Sequence, residues 1–302
     1  MSPREHAVET RLRFLAFRFY DGCPVACAHC SIEAPTKKPH RNSVTPRDVI
    51  ALCRLGKTLG TKPLVFMTGS ELCLGDPDLA DLAAEIVLGE GMVLAVLTSG
   101  YWARTEQGRQ DGLHYLRRCG ISHVQLSVDS FHHRALDPAS AQQLVACLTK
   151  EGLSVIVNET VNPGQPSIAP AVVEQAGVSS SIVHTFTRNA VGAAARLQAA
   201  HSPLSAPYHE CDYGAALYLQ ADGFLYHCSG PASMCQGRAV GRIENGQVSY
   251  YPRTVAALRT EILPLLDETR HSDGDECSAC LRHFKGRTPS WLKAEQIITT
   301  CS

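Results

Sequence analysis

The sequence predicts an α/β protein built on a parallel sheet, and three observations lead to this fold class. Short apolar runs alternate with segments that have the apolar spacing of helices. The helical segments are long enough to connect neighbouring parallel strands by right-handed crossovers. The chain has 302 residues, of which 44% are hydrophobic, so it can bury a full core. Six strand–helix units fit a partial (β/α)6 barrel, followed by a smaller C-terminal unit.

The elements of the barrel are predicted in order along the first two thirds of the chain. The apolar segment 12–20 supplies the first strand. A helix then begins at Thr45, a capping residue followed by Pro46 at the first helical position, and runs to about residue 60. Short apolar runs predict the remaining strands at residues 63–67, 92–97, 124–128, 154–161 and 181–187. Apolar spacing predicts the remaining helices at residues 76–91, 102–119, 139–152 and 169–177.

A change of composition marks the end of the predicted barrel. Residues 201–207 are rich in serine, proline and alanine, which is typical of a linker. We therefore predict a barrel domain over residues 1–200 and a second domain over residues 201–302. The second domain should contain a β-hairpin, with strands at 215–220 and 224–228 and a turn containing Asp222-Gly223 between them.

Composition and charge exclude several classes of function. The formal net charge is −1 and no block of like charge occurs, so neither a nucleic-acid surface nor a polybasic membrane patch is indicated. No apolar run reaches the roughly 18 residues that a membrane span needs, and the first residues lack the apolar core of a signal peptide. We expect a soluble cytoplasmic protein with no nucleic-acid or membrane partner.

Thirteen cysteines in a cytoplasmic chain indicate metal ligation or catalysis rather than a disulfide framework. Cys53, Cys119 and Cys147 lie within helix-like apolar patterns, and we interpret them as core thiols. The clustered cysteines remain as candidate ligands.

The first cluster consists of Cys23, Cys27 and Cys30, separated by three and then two residues. Three thiolates at this spacing can hold three corners of a cubane iron–sulfur cluster within one loop, which leaves one iron without a protein ligand. Closely spaced cysteines also form zinc sites, so zinc is the alternative on spacing alone.

This motif, which follows the first strand of an alternating α/β chain, resembles the signature of the radical SAM enzymes. The resemblance implies a [4Fe–4S] cluster whose open iron binds S-adenosylmethionine (SAM). It also implies reductive cleavage of SAM to a 5′-deoxyadenosyl radical, with the electron coming from a donor such as flavodoxin or ferredoxin. His29 departs from the pattern, because the family usually has an aromatic ring beside the last cysteine.

Motifs at the predicted strand ends resemble the SAM-binding motifs of the same family. The four residues Thr68, Gly69, Ser70 and Glu71 are similar to its Gly-Gly-Glu motif, whose carboxylate holds the amino group of SAM. Thr98 lies where the family has a Thr-Asn-Gly loop. The remaining candidates for cofactor binding are Ser127 and Asp129, which resemble a Ser-x-Asp pattern, and Arg188 after the sixth strand.

Four further residues are pocket candidates by position alone. They lie at the ends of the fourth and fifth strands, where a barrel of this kind carries its chemistry, and they are His132, His133, Asn158 and Glu159.

A second set of cysteines follows the predicted linker, namely Cys211, Cys228, Cys277 and Cys280. A hairpin with a cysteine at each base and a later Cys-x2-Cys can supply four ligands to one metal, for which zinc is the default in isolation. Together with the N-terminal motif, this spacing resembles the twitch and SPASM domains, which hold auxiliary [4Fe–4S] clusters. The later Cys-x5-Cys-x3-Cys portion of SPASM is absent, so the resemblance implies one auxiliary cluster.

Three cysteines remain outside both sets, and two of them are candidate catalytic residues. Cys235 and Cys73 could return a hydrogen atom to a substrate radical, as cysteines do in radical epimerases. The alternatives for Cys235 are a structural thiol or a substitute cluster ligand. Cys301 is either a ligand of an open auxiliary site or a bystander.

These features support three hypotheses about function. The first is a radical SAM enzyme that acts on a natural-product precursor by epimerising a residue of a ribosomal peptide. The second is an epimerase or dehydrogenase of a small polyhydroxylated substrate, such as an aminoglycoside or cyclitol; carboxylates in the pocket would favour it because a polyamine needs them. The third is a non-catalytic iron–sulfur or zinc scaffold.

Overall fold

The structure is a computed structural model, and it describes residues 12–25, 27, 29–30, 40–41, 44–68, 71–72, 76–162, 165–187, 214–228 and 238–271. The strands in chain order are β1 Phe14–Phe17, β2 Tyr20–Asp21, β3 His40–Arg41, β4 Leu64–Met67, β5 Val93–Thr98, β6 His123–Ser127, β7 Ser154–Val161, β8 Val183–Thr187, β9 Ala216–Leu219, β10 Phe224–Tyr226, β11 Gly241–Glu244 and β12 Gln247–Tyr250. The α-helices are α1 Pro46–Thr58, α2 Pro77–Ala84, α3 Glu106–Arg118, α4 Pro138–Lys150, α5 Ala169–Gln175 and α6 Pro252–His271.

One sheet joins ten of these strands, in the order β12-β11-β10-β9-β1-β4-β5-β6-β7-β8. Each neighbouring pair from β1 to β8 along this order is parallel. The helices α1 to α5 connect these parallel strands in chain order. The predicted α/β fold with a parallel core is therefore confirmed, and it is consistent with a partial radical SAM barrel.

The pleat of the parallel strands separates an apolar face from a more polar one. In β6 the side chains of Val124 and Leu126 are buried, whereas those of Gln125 and Ser127 are half-buried. The same alternation in β7 buries Val157 and leaves Asn158 half-buried. The apolar face belongs to the large hydrophobic core, which also includes the α1 side chains Val49, Leu52 and Cys53.

The predicted hairpin is present as β9 and β10, and β9 extends the barrel sheet. It pairs in parallel with β1, with Leu217 beside Leu15, and both side chains are fully buried. A second hairpin, β11–β12, was not predicted. Its turn at Asn245 and Gly246 has φ angles of 52° and 79°, which suit asparagine and glycine.

The second hairpin is attached to the first helix of the barrel. The buried carboxylate of Asp48 accepts a hydrogen bond of 2.7 Å from the amide of Gly246. Its other oxygen accepts from the amide and hydroxyl of Thr45, which forms the capping box at the start of α1. One carboxylate thus joins the first helix to the C-terminal strands.

Helix α2 ends differently from the prediction. Residues Glu85–Gly89 form a π-helical turn instead of continuing the α-helix to residue 91. Glu90 follows this turn, and its largely buried carboxylate pairs with Arg54 Nε at 2.8 Å and Lys57 Nζ at 2.6 Å. Both cations belong to α1, so this ion pair joins the two helices.

Within the ranges described above, no helix combines the length and the hydropathy that crossing a membrane requires.

Candidate active site

The N-terminal cysteine cluster lies in a turn that follows β1. Cys23, Cys27 and Cys30 are all half-buried, and the amide of Cys30 donates to the carbonyl oxygen of Cys27 at 3.1 Å. Burial and, after it, the charges of Cys23 and Cys30 raise the pKa of the Cys27 thiol to about 12. Burial also raises the pKa of Cys23. The three sulfur atoms therefore lie close enough to interact electrostatically.

These three residues fit a metal cluster. Burial opposes ionisation of the Cys23 and Cys27 thiols, and three neighbouring thiolates would repel one another. Metal ions supply the positive charge that such a set of thiolates needs as they displace the protons. Cys23, Cys27 and Cys30 would hold three irons of a [4Fe–4S] cluster, as the spacing predicts.

The carboxylate of Glu71 connects the ends of β4 and β5 beside this turn. One oxygen, Oε2, accepts from the amide of Ser99 at 3.0 Å and from the Ser99 hydroxyl. The other, Oε1, accepts from the Thr98 hydroxyl and from the amide of Leu72 at 3.2 Å. The backbone of Glu71 also lies near enough to Cys23 to offset part of the rise that burial causes in the pKa of that thiol. The buried Glu71 therefore links the cysteine turn to two strand ends.

Thr98 extends this network into the loop after β5. Its Oγ1 accepts from the indole Nε1 of Trp102 at 3.1 Å and from the amide of Gly100 at 3.0 Å. Gly100 has a φ of 71°, and a Cβ there would lie 2.7 Å from a Leu136 methyl carbon, so this turn requires glycine.

Asp129 organises the loop after β6. Its Oδ1 accepts from the amides of Phe131 and His132 and from His132 Nδ1, at 2.9 to 3.0 Å, and Oδ2 accepts from the Thr160 amide at 3.1 Å. Burial by itself would raise the pKa of Asp129. The hydrogen bond from His132 and the charges of His132 and His29 outweigh burial, so this pKa lies below its usual range. The charge of Asp129 acts in turn on Cys27.

His29 brings the cysteine turn against this same loop. Its ring lies 4.5 Å from that of Phe131 at an interplanar angle of 31°, and 4.7 Å from that of His132 at 89°. Ligand atoms of His29, Asp129 and His132 all lie within 4.8 Å of one another.

The structure brings together the predicted residues Cys23, Cys27, Cys30, Glu71, Thr98 and Asp129. Thr68 follows β4, and its amide donates a hydrogen bond of 3.0 Å to the carbonyl oxygen of Phe17. Ser127 ends β6 next to Asn158 of β7, and His133 is exposed in the loop after β6. The roles predicted for these residues stay predictions.

Glu159 has a different task from the predicted one. Its side chain is 1% exposed, and Oε1 accepts from the amides of Ile168 and Ala169 at 2.5 and 3.0 Å. It therefore caps the start of α5 rather than lining a pocket.

Among the predicted C-terminal ligands, Cys228 is described and is half-buried beyond β10. It follows His227, a buried residue whose Nδ1 lies 2.9 Å from the Ala216 carbonyl oxygen. The remaining predicted site residues lie outside the described residues, namely Gly69, Ser70, Cys73, Arg188, Cys211, Cys235, Cys277, Cys280 and Cys301.

Sequence reasoning missed Ser99, Trp102 and Phe131. Ser99 makes two hydrogen bonds to Glu71, and Phe131 stacks on His29. All three lie within four residues of a strand end, and that position is the signal by which they could have been found.

A parallel α/β sheet with three cysteines gathered beyond its strands defines a metal-binding α/β enzyme core. Residues 17–162 match the family model of the Radical SAM superfamily. This segment is just under half of the chain, and it includes the three cysteines, Glu71 and Asp129. The match supports a radical SAM domain and the general reaction of the superfamily, which implies a [4Fe–4S] cluster and SAM.

One solved structure similar to this chain is described as the crystal structure of BtrN in complex with AdoMet and 2-DOIA. The sequences are 12% identical, the match covers 90% of this chain and 86% of that one, and the TM-score is 0.38. No curated protein matches this chain.

Proposed function

We propose that this protein cleaves SAM reductively and abstracts a hydrogen atom from an unactivated carbon of a natural-product precursor. The observation that carries this proposal is the position of Cys23, Cys27 and Cys30 beside Glu71, at the carboxyl ends of parallel strands. When bound, the cluster supplies the electron that converts SAM into methionine and a 5′-deoxyadenosyl radical.

Glu71 is suited to receive the ammonium group of SAM. Its two oxygens accept four hydrogen bonds, but two of the donors are the hydroxyls of Thr98 and Ser99. Hydroxyl groups can rotate and so release an acceptor site on the carboxylate. Glu71 would then form a charge-assisted hydrogen bond with the ammonium in a site that excludes water.

For the substrate we propose a ribosomally made peptide, in which one residue is epimerised. After loss of the α-hydrogen, the thiol of Cys235 or Cys73 would return a hydrogen atom to the opposite face of the α-carbon. The sulfur radical that remains needs one electron and one proton. Cys211, Cys228, Cys277 and Cys280 would hold an auxiliary [4Fe–4S] cluster that could supply the electron and be reduced again by flavodoxin or ferredoxin, and the proton would come from solvent.

The hydrogen bonds of the strand-end carboxylates support a peptide over a polyamine. Glu71, Asp129 and Glu159 all accept several internal hydrogen bonds. Asp129 and Glu159 are therefore occupied by internal donors and Glu71 is assigned to SAM, whereas an aminoglycoside would need several carboxylates at once. The small polyhydroxylated substrate is the alternative that the experiments below distinguish.

The first experiment measures iron, sulfide and zinc after anaerobic reconstitution, together with 5′-deoxyadenosine formation. The native protein is compared with the Cys23→Ala/Cys27→Ala/Cys30→Ala variant, and Cys147→Ala is the matched control because that thiol lies on α4. We expect about eight irons to fall to about four in the triple variant, with cleavage abolished. Zinc in place of iron, or cleavage that survives the triple change, would contradict the proposal.

The second experiment identifies the substrate class by its effect on 5′-deoxyadenosine formation in D2O. Candidate peptides are compared with aminoglycosides and cyclitols, with reduced flavodoxin as the electron donor. An epimerised peptide should gain one deuterium at an α-carbon, and the Cys235→Ala variant should still cleave SAM but form no inverted product. Oxidation of a cyclitol without deuterium incorporation would support the alternative instead.

A further inference from the structure

Three side chains form a polar group between the cysteine turn and the loop after β6. They are His29, Asp129 and His132, which we call the His–Asp group. His29 lies next to Cys30, where the radical SAM family usually has a hydrocarbon aromatic side chain rather than an imidazole. The group also includes Asp129, whose charge acts on Cys27.

The geometry of the group is fixed by backbone amides. Three of the four hydrogen bonds to Asp129 come from the amides of Phe131, His132 and Thr160, which cannot rotate as hydroxyls do. The fourth comes from His132 Nδ1, and because an ionised carboxylate can only accept, that nitrogen carries a proton. His29 is held against Phe131 and His132 by its ring contacts. The negative charge and both imidazoles therefore have defined positions.

A metal ion is a poorer explanation of this group than a purely electrostatic role. Two histidines and a carboxylate are a familiar ligand set for divalent iron. However, Oδ1 of Asp129 already accepts from three N–H groups, namely the amides of Phe131 and His132 and the ring Nδ1 of His132. A metal ion bound by His132 Nδ1 and Asp129 would have to replace at least the hydrogen bond between those two groups.

The charges and dipoles of the His–Asp group would change how favourable it is for the neighbouring cluster to accept an electron. An anion near a cluster disfavours the added electron, whereas N–H dipoles directed at the site favour it. Asp129 is the anion, because its neighbours hold its pKa below the usual range. The imidazoles of His29 and His132 carry N–H dipoles in either protonation state.

We infer that the His–Asp group sets the reduction potential of the cluster held by Cys23, Cys27 and Cys30, with His29 raising the potential and Asp129 lowering it. His132 is a positioning residue that fixes the ring of His29. The inference rests on the proposed function, because it requires the cluster. In the step concerned, the cluster takes one electron from an external low-potential donor, and no bond forms or breaks.

The test is a dithionite titration of the reconstituted full-length protein, monitored by electron paramagnetic resonance of the reduced cluster. Wild type is compared with His29→Phe, which restores an aromatic hydrocarbon, and with Asp129→Asn. His133→Phe is the matched control, because this exposed histidine follows the group directly. At the wild-type midpoint, we expect the ratio of reduced to oxidised cluster to fall about threefold or more in His29→Phe and to rise about threefold or more in Asp129→Asn, with tenfold corresponding to about 59 mV.

A second variant separates the effect of polarity from that of packing. His29→Gln keeps an N–H donor without the ring, so it should restore part of the potential lost in His29→Phe. Equal potentials in wild type and His29→Phe, with equal iron content, would overturn the inference. A divalent ion bound in addition to the cluster, and lost in His132→Gln, would also overturn it.

The two proposals fail in different ways. If the wild-type protein assembles no iron–sulfur cluster, the proposed function fails and this inference fails with it. If the cluster forms and cleaves SAM while the potentials stay equal, only the inference fails.

Discussion

At the scale of single residues, three buried carboxylates lie near the carboxyl ends of β4, β6 and β7, and their surroundings distinguish their tasks. Asp129 and Glu159 are each held by two or more backbone amides. Glu71 is held in part by two hydroxyls and lies beside the cysteine turn. Glu159 also accepts from the hydroxyls of Ser167 and Thr185, so Glu159 and Glu71 have the same kinds of donor. The position of Glu71 beside the cysteine turn, rather than its donors, therefore makes it the carboxylate available to a cofactor.

This difference predicts that Glu71→Gln impairs the cofactor without unfolding the protein. The amide keeps the shape of the side chain but loses the charge that neutralises an ammonium, and a charge-assisted hydrogen bond contributes about 1.5–3 kcal/mol. We expect 5′-deoxyadenosine formation to fall at least about tenfold, because 1.4 kcal/mol corresponds to that factor. The measurement is the cleavage rate at saturating reductant, together with SAM affinity by calorimetry.

Glu159→Gln is the matched control for this prediction. The same change in another buried carboxylate should lower the free energy of unfolding by about 1–2 kcal/mol, since the cap of α5 is weakened, and leave cleavage unchanged. Equal losses of cleavage in both variants would show that Glu71 acts only through stability.

The sequence predicted where these carboxylates lie along the chain better than which face of the sheet their side chains point to. Asn158 and Glu159 are adjacent in β7, so their side chains point to opposite faces, and only one of them can face a pocket. The sequence alone does not fix which face is which at the end of a strand. Val157 lies two residues before Glu159 in β7, so the two side chains share a face of the strand. Val157 is fully buried, and this burial assigns Glu159 to the helix-covered face.

At the scale of elements, helix α3 positions Trp102 and through it the network around Glu71. A Cβ at Gly112 would lie 2.2 Å from the indole Cε3 of Trp102. The indole in turn donates to Thr98, which donates to Glu71. The small residue in α3 therefore allows a contact that extends to the candidate site.

We predict that Gly112→Ala destabilises the protein although alanine is the better helix former. Displacing the packed indole costs about 1–3 kcal/mol, which outweighs a gain in helix propensity of at most about 1 kcal/mol. Trp102 emission should shift to longer wavelength, and cleavage should fall as Thr98 loses its donor. A Trp291→Phe background isolates the signal, because the chain has two tryptophans.

His114→Ala, at an exposed position of the same helix, controls for effects on α3 itself. An unchanged emission spectrum in Gly112→Ala would mean that the indole accommodates the methyl group without leaving Thr98.

The ion pair between α1 and Glu90 predicts a dependence of stability on pH. Hydrogen bonds from Lys57 and Arg54 lower the pKa of Glu90, so the folded state favours its ionised form. The ionised carboxylate therefore adds to the free energy of unfolding. This stabilisation is fully present above the pKa of Glu in the unfolded chain, about 4.3, and is lost as the pH falls through the lower pKa of Glu90 in the folded state. Relative to Glu90→Gln, the wild type should be more stable by about 1 kcal/mol at pH 7, and this difference should decrease as the pH falls from 5 to 3.

Urea unfolding at pH 7, 5 and 3 measures this difference. Glu244→Gln is the matched control, since Glu244 and its partner Arg242 are both exposed on β11. A difference between wild type and Glu90→Gln that persists unchanged at pH 3 would assign the effect to packing.

Most elements of the barrel could be predicted from sequence because their apolar periods are strong and their helices are capped. The second hairpin was missed although Asn245-Gly246 is a recognised turn sequence. Its outer strand, β12, has three exposed residues and so carries a weak apolar pattern. Its position depends on a tertiary contact, the bond between Asp48 and Gly246, which no local pattern reveals.

At the scale of the whole molecule, the sheet continues across the predicted domain boundary. Residues 201–207 lie outside the described ranges, and the division at residue 200 stays a prediction. Strand β9 nevertheless pairs with β1 over four residues. The edge contact between Phe14 and Tyr218, with ring centroids 6.0 Å apart, adds to this pairing.

This pairing predicts that the described C-terminal strands and the barrel unfold together. Leu217→Ala removes a fully buried side chain beside Leu15 and should cost about 2–5 kcal/mol. The loss should appear equally in circular dichroism and in Trp102 emission, because Trp102 lies in the barrel. Val248→Ala, at a 39% exposed position on β12, should change the free energy of unfolding by less than about 0.5 kcal/mol. Two separate transitions, with Trp102 emission unaffected by Leu217→Ala, would show instead that the C-terminal part unfolds independently of the barrel.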